Sequence, residues 1–263
     1  MTDTVRLCQT IPELQEAIRY SIDHQMMVRH GCDLEYNNTQ VHNTQFIISG
    51  KRTFEAAKAY KGKKVAVLNF ANNHSIGGAP FSAGAQEESL CRCSTLFPCL
   101  QAMKDRFYDR HIQEYMNGEI NHMGSDDLIY TSDVVVFKTD ELTDPIYPKM
   151  IPKENWYKVD VITCAAPELW HGNPMPYDYE EQISSRIKQI LDTAAVSGVE
   201  VLILGAWGCG AFKNPADIVA RTFRTQLKNY SFDVVEYALS HTGDLSSNVF
   251  ARALLNINIS SIN

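Results

Sequence analysis

Long apolar runs are missing from this chain of 263 residues. The longest, Val134 to Phe137 and Val199 to Ala206, fall far short of the ~20 residues that span a bilayer, so no membrane association is expected. Excess basic charge is missing as well. The 24 Lys+Arg stand against 31 Asp+Glu, a formal net charge of −7, which argues against a nonspecific binder of nucleic acid or anionic membrane and leaves room only for a local basic patch. No sequence-specific contact with nucleic acid is expected. The start, Met1-Thr-Asp-Thr-Val-Arg, carries an acid and no apolar core, so it does not read as a signal peptide. Repeats, low-complexity tracts and Ser/Gly-rich linkers are lacking. The seven cysteines form no Cys-x-x-Cys pair and show no histidine spacing suited to zinc. They read as reduced thiols of a cytoplasmic protein, with no metal and no cofactor expected.

What is present is ordinary globular material, 44% hydrophobic and 21% charged. Such a chain can bury roughly 70–75% of its unfolded surface without a disulfide or metal staple. Residues 11–30 space apolar side chains three to four apart behind Pro12, which predicts an amphipathic helix. Thr53 to Tyr60 predicts a short helix, and Lys64 to Phe70 a buried strand feeding a loop. Glu87 to Met103 again has helical spacing, at Leu90, Cys93, Ser94 and Phe97. Further strands are expected at Asp133–Lys138, Lys158–Ala165, Glu200–Gly205 and Phe232–Ala238, with helices at Tyr179–Ser197 and Pro215–Asn229. Asn117–Asp127 and Asp140–Asn155 are rich in turn residues and read as surface excursions. Strand and helix alternate through the second half, which implies a mostly parallel sheet covered on both faces. The expected architecture is one three-layer α/β/α domain over residues 51–263 with an N-terminal helical extension over 1–50, and a monomer.

Two loops follow strands at the end where ligands bind in open α/β sheets. The first runs from Asn69 through Gly77-Gly78-Ala79 to Gln86-Glu87-Glu88. The second is Gly205-Ala-Trp207-Gly208-Cys209-Gly210-Ala211-Phe212-Lys-Asn214-Pro215-Ala-Asp217, where Asn214 suits an N-cap and Pro215 the first helical turn. Small residues let backbone amides approach an anion closely. Neither loop is a Walker A motif or a Gly-x-Gly-x-x-Gly turn. Together they suggest a diphosphate ligand, with Phe81, Trp207 and Phe212 able either to stack on a base or to pack in the core.

The first loop resembles the signature of poly(ADP-ribose) glycohydrolases, a Gly-Gly-Gly loop, six to eight residues, then Gln-Glu-Glu. Here it reads Gly77-Gly78-Ala79, the six residues Pro80 to Ala85, then Gln86-Glu87-Glu88. The surroundings are similar to the microbial-type branch: Val-Leu-Asn69-Phe-Ala before the glycines, Ser-Leu-Cys-Arg92 after the glutamates, then Asp133–Lys138, Val161–Pro167 and Leu204–Phe212. The resemblance covers the chain from about Arg52 onward. Ala79 in place of a third glycine and Ile76 in place of a frequent proline depart from the pattern, and the first 50 residues match no motif.

The resemblance implies a macrodomain fold with a mixed sheet and an N-terminal helical accessory region. It implies hydrolysis of the ribose–ribose O-glycosidic bond of an ADP-ribose polymer, or action on an ADP-ribosylated protein. That reaction needs a proton on the leaving ribose oxygen and a water that loses one while attacking the anomeric carbon. Adjacent glutamates on a helix point about 100° apart and cannot share one task. By resemblance Glu88 is the acid/base and Glu87 orients ribose hydroxyls. Substrate contacts are expected from Asn69, Asn73, Gly77, Gly78, Ala79 and Gln86, and from Gly205, Trp207, Gly208, Cys209, Gly210, Ala211 and Phe212. Asn69 belongs to the microbial strand end and Asn73 matches the asparagine of animal-type relatives, so both stay open. Two other functions fit the scaffold: a reader that binds ADP-ribose without cleaving it, and a hydrolase of mono-ADP-ribosylated protein or nucleic acid. A helix start favours ionised carboxylates, so burial or a substrate diphosphate has to raise the pKa of any general acid here.

Overall fold

The alternation of apolar side chains along β3 (Val65–Ala71) divides the molecule into two layers of helix. Successive side chains of a strand point to opposite faces. Ala66 and Leu68 pack in one cluster with Ile183, Ile187 and Ile190 of α7 (Tyr179–Val196), Val219 and Phe223 of α8 (Ala216–Gln226) and Phe250 of α9 (Leu245–Leu255). Val65 and Val67 pack in another, with Phe54 of α3 (Thr53–Ala57), Leu90 of α4 (Gln86–Cys93) and Leu96 and Leu100 of α5 (Leu96–Gln101). The computed structural model describes residues 1–32, 34, 36, 43–140, 148–169, 174–240 and 245–255. The middle of the Asp140–Asn155 excursion therefore lies outside the described residues.

Among the described residues the sheet has seven strands in the order β1-β4-β5-β3-β6-β7-β2. Its members are β1 (Met26–Val28), β2 (Gln45–Ser49), β3, β4 (Leu128–Val136), β5 (Tyr157–Ala165), β6 (Val201–Leu204) and β7 (Val234–Ala238). Strands β5, β3, β6, β7 and β2 run parallel; β4 runs antiparallel to β5, and β1 in turn antiparallel to β4, so that β4 alone is reversed. The fold is thus the three-layer mixed α/β/α arrangement expected. Two helices that precede it, α1 (Thr2–Thr10) and α2 (Pro12–Asp23), pack through Leu7, Cys8 and Leu14 onto Val135 and Phe137. Helix α6 (Arg110–Met116) follows a six-residue π-helical stretch, Lys104–Asp109. Among the described residues no helix is long and apolar enough to cross a membrane. None of the seven cysteines forms a disulfide, and all but Cys32 are buried.

Several boundaries differ from expectation for identifiable reasons. The helix expected over 11–30 stops at Asp23, because Met26, Met27 and Val28 pair with Tyr130, Ile129 and Leu128 as an edge strand. Residues 1–50 therefore supply both edge strands of the sheet as well as two helices. The helix expected over 87–103 breaks at Ser94. There the Thr95 amide donates to the Val135 carbonyl at 3.0 Å, and the Phe137 amide to the Cys93 carbonyl at 3.0 Å, so the end of β4 draws the chain out of helical geometry. Strand β4 starts five residues before the expected Asp133 and contains a bulge between Thr131 and Val134, with Asp133 at φ 57°. A one-residue slip exchanges the faces of a strand. Accordingly Tyr130 faces the α7 layer, whereas Val134 and Val136 face the α4 layer and Val135 turns to α1 and α2.

Candidate active site

The end of β3 and the start of α4 are stitched together by side chains of both. Gln86, the first residue of α4, accepts the Phe70 amide at 2.8 Å and donates through Nε2 to the Leu68 carbonyl at 2.7 Å and to Thr53 Oγ1 at 3.1 Å. Asn69 is fully buried in β3 opposite Thr163 of β5 and donates through Nδ2 to Glu87 Oε1 at 3.1 Å. The Asn72 amide donates to Glu87 Oε2 at 2.8 Å. Both oxygens of Glu87 are thus occupied. Burial pushes its carboxyl up to about 8, against the two hydrogen bonds from Asn72 and Asn69, and the neighbouring Glu88 adds to the rise. The desolvation cost exceeds the pull of the helix N-terminus toward the ionised form.

Glu88 is held differently. Its Oε1 accepts the Ala79 amide at 3.0 Å, and its Oε2 is buried without a hydrogen-bond partner. Gly78 lies between the two carboxyls with φ 67°, and a Cβ there would collide with Glu88 Oε1. Only glycine fits that backbone and that space. Gly77, also at φ 67°, sits on the Cys91 sulfur and the Phe97 ring. Ala79 has no positive φ, so the third position of the loop tolerates a methyl group. Asn72 Oδ1 accepts the His74 and Ser75 amides, both at 2.8 Å, and shapes the turn into the glycines. The far side of the loop is tied down by Arg92, which donates to the carbonyls of Ala83 at 2.6 Å and Pro80 at 3.3 Å.

A cavity of about 380 Å3 opens beside this assembly. Phe70, Gln86 and the second loop from Ala206 to Phe212 line it, together with Arg52, Thr53, Ser89 and Asp140. Arg52 and Asp140 are buried and paired at 2.7 Å, and Ser89 Oγ donates to the same Asp140 oxygen at 2.8 Å. The structure thus gathers Gln86, Trp207, Gly208, Cys209, Gly210, Ala211 and Phe212 around the cavity. Asn69, Asn73, Gly77, Gly78, Ala79, Glu87 and Glu88 do not line the cavity; Asn69 is joined to Glu87, and the Ala79 amide to Glu88, by hydrogen bonds. Gly205 lies beneath, where a Cβ would stand 2.8 Å from the Phe70 ring and 3.0 Å from the Ala238 carbonyl.

The second loop is pinned by a residue expected elsewhere. Asn214 does not cap α8; the cap is Pro215 and the helix begins at Ala216. Its side chain instead donates to the carbonyls of Pro167 at 2.8 Å and Gly208 at 3.0 Å and accepts the Tyr179 hydroxyl at 2.8 Å. Trp207 is fully buried, with its indole N–H on the Cys164 carbonyl at 2.9 Å and its ring against Phe223. Its ring is core rather than a stacking surface. Asn73 is buried, with its side-chain amide against Gly124. The places of Arg52, Ser89 and Asp140 at the cavity and the bracing of the loop by Arg92 are not expected from the sequence. Arg52 and Asp140 stand 88 positions apart, so no local spacing joins them.

Residues 8–139 match the family model of the catalytic domain of microbial-type PARG, the poly(ADP-ribose) glycohydrolases. No curated protein matches the chain. The fold superposes on the crystal structure of poly(ADP-ribose) glycohydrolase from Thermomonospora curvata with a TM-score of 0.79 and 25% identity, covering 96% of this chain and 97% of that one. The same bacterium's enzyme bound to the inhibitor ADP-HPD gives 0.78 and 27%, covering 95% and 96%. The Deinococcus radiodurans enzyme in complex with ADP-ribose gives 0.77 and 26%, covering 92% of this chain and 98% of that one.

Proposed function

The chain belongs to the microbial-type poly(ADP-ribose) glycohydrolase catalytic family, and on that premise we propose that it hydrolyses the ribose–ribose O-glycosidic bond of ADP-ribose polymers. One ADP-ribose unit occupies the cavity between the two loops, and Glu88 serves as the single acid/base. The observation that carries this reading is the unequal engagement of the two carboxyls. Glu87 has a donor on each oxygen, whereas Glu88 has one oxygen anchored and Oε2 unpaired.

A general acid must present its proton to the leaving oxygen at hydrogen-bond distance. Glu88 Oε2 carries that proton to the leaving ribose oxygen as the anomeric C–O bond breaks through an oxocarbenium-like state. The resulting carboxylate then takes a proton from the water that attacks the anomeric carbon, which restores the acid. Glu87, its carboxyl raised to about 8 by burial, favours the protonated form at neutral pH. Through Asn69 and Asn72 it fixes the strand end on which the ribose rests. Phe212 on the second loop supplies the aromatic face for the ligand.

Incubation with labelled poly(ADP-ribose) tests the reading. Release of free ADP-ribose supports it. Tight binding of ADP-ribose without release assigns the protein to the readers, and release only from a mono-ADP-ribosylated protein assigns it to the single-unit hydrolases.

A further inference from the structure

We infer that Phe81 is a stacking platform for the base on the leaving side of the scissile bond, and that it tunes the enzyme toward chains over single ADP-ribose units. The inference rests on the glycohydrolase reading above. Phe81 is 64% exposed although it sits in the loop that holds Glu88. Its ring makes a T-shaped contact with Phe97, with centroids 6.1 Å apart and planes at 86°, and most of it stays open to solvent.

The backbone that carries the ring is tied down. The Ser82 and Ala83 amides both donate to the Ala79 carbonyl, at 3.0 and 2.9 Å, and the buried Arg92 holds the carbonyls of Pro80 and Ala83 on either side of Phe81. An aromatic ring that is already ordered loses little entropy when a base stacks on it. Phe81 also lies two residues beyond Ala79, whose amide holds Glu88 Oε1, so their Cα atoms are at most about 7 Å apart.

Chemistry decides what arrives there. In a chain linked ribose to ribose, the leaving oxygen is the 2′ oxygen of the next unit's adenosine, so an adenine hangs from the adjacent ribose carbon. The acid must reach that oxygen, which brings the leaving adenosine to the Glu88 side of the loop. Phe81 does not line the cavity assigned to the first unit, so a base on Phe81 and a unit in the cavity do not compete for space. Base–aromatic stacking tolerates any base and contributes enough to set a preference.

The test compares wild type with Phe81→Ala, Phe81→Leu and Phe81→Tyr on two substrates. One is purified polymer. The other is ADP-ribose joined through its anomeric carbon to O2 of a methyl riboside, which keeps the scissile bond but has no leaving-side base. For Phe81→Ala and Phe81→Leu, kcat/KM on the polymer should fall roughly 5- to 100-fold, with the base-free substrate unaffected. Phe81→Tyr should retain both activities. Unchanged polymer turnover in Phe81→Ala, or equal losses on the two substrates, would overturn the inference while leaving the glycohydrolase reading intact. Wild-type protein that releases ADP-ribose from neither substrate removes that reading, and this inference with it.

Discussion

The Glu88 carboxylate accepts the Ala79 backbone amide at 3.0 Å through one oxygen and keeps the other buried and unpaired. The loop thus orients the carboxylate without satisfying it. Gly78 makes that approach possible, since a side chain there would strike Glu88 Oε1. Gly78→Ala should therefore displace the carboxylate and impose a left-handed backbone on alanine, at about 1–2 kcal/mol for the backbone alone. Steady-state kinetics should record a large fall in kcat. Ala79→Gly, at a position without positive φ, should leave kcat nearly unchanged. Equal effects of the two variants would contradict this picture of the loop.

Glu87 predicts a pH dependence of stability. Its carboxyl is raised from the ordinary 4.5 to about 8 by burial, so the native state holds the proton more tightly than the unfolded state does. Native stability should therefore fall as pH rises from about 4.5 to about 8, and level off above. Glu87→Gln removes this term. Thermal melts from pH 5 to pH 9 should show the variant gaining on wild type as pH increases, each kcal/mol being worth roughly 2–4 °C. A Tm difference independent of pH would show that Glu87 does not titrate in this range.

Phe212 and Trp207 lie in the same loop and should separate cleanly. Phe212→Ala should weaken ADP-ribose binding by about 1–3 kcal/mol in titration calorimetry, with little change in Tm. Trp207→Ala should instead cost about 3–5 kcal/mol of stability, because the ring is fully buried. Unchanged ADP-ribose affinity in a folded Phe212→Ala protein would return that ring to a packing role.

The parts of this fold that were legible in the sequence carry their signal locally. Strand β3 is an apolar run, the loop after it is marked by consecutive glycines, and Gln86-Glu87-Glu88 opens a helix. Where pairing partners lie far apart the signal vanishes. Strand β1 has three residues, and only its antiparallel pairing with Leu128–Tyr130 makes it a strand. Helix α1 buries only Thr4, Leu7 and Cys8, too narrow a face to announce itself. The bulge at Asp133 changes which side of β4 faces which layer, and no alternation pattern reveals it. At the site, the adjacency of Glu87 and Glu88 was visible from the start. Their different engagement was not, because the donors that separate them come from Asn69, Asn72 and Ala79, set by the path of the loop.

The central claim, that Glu88 carries the proton, is tested most directly by Glu88→Gln. Glutamine preserves shape and can still accept the Ala79 amide, but it cannot protonate a leaving oxygen. Release of ADP-ribose from labelled polymer should slow by about 10²–10⁴-fold, while calorimetric affinity for ADP-ribose stays close to wild type. A folded Glu88→Gln protein that hydrolyses polymer at near wild-type rate would contradict the account.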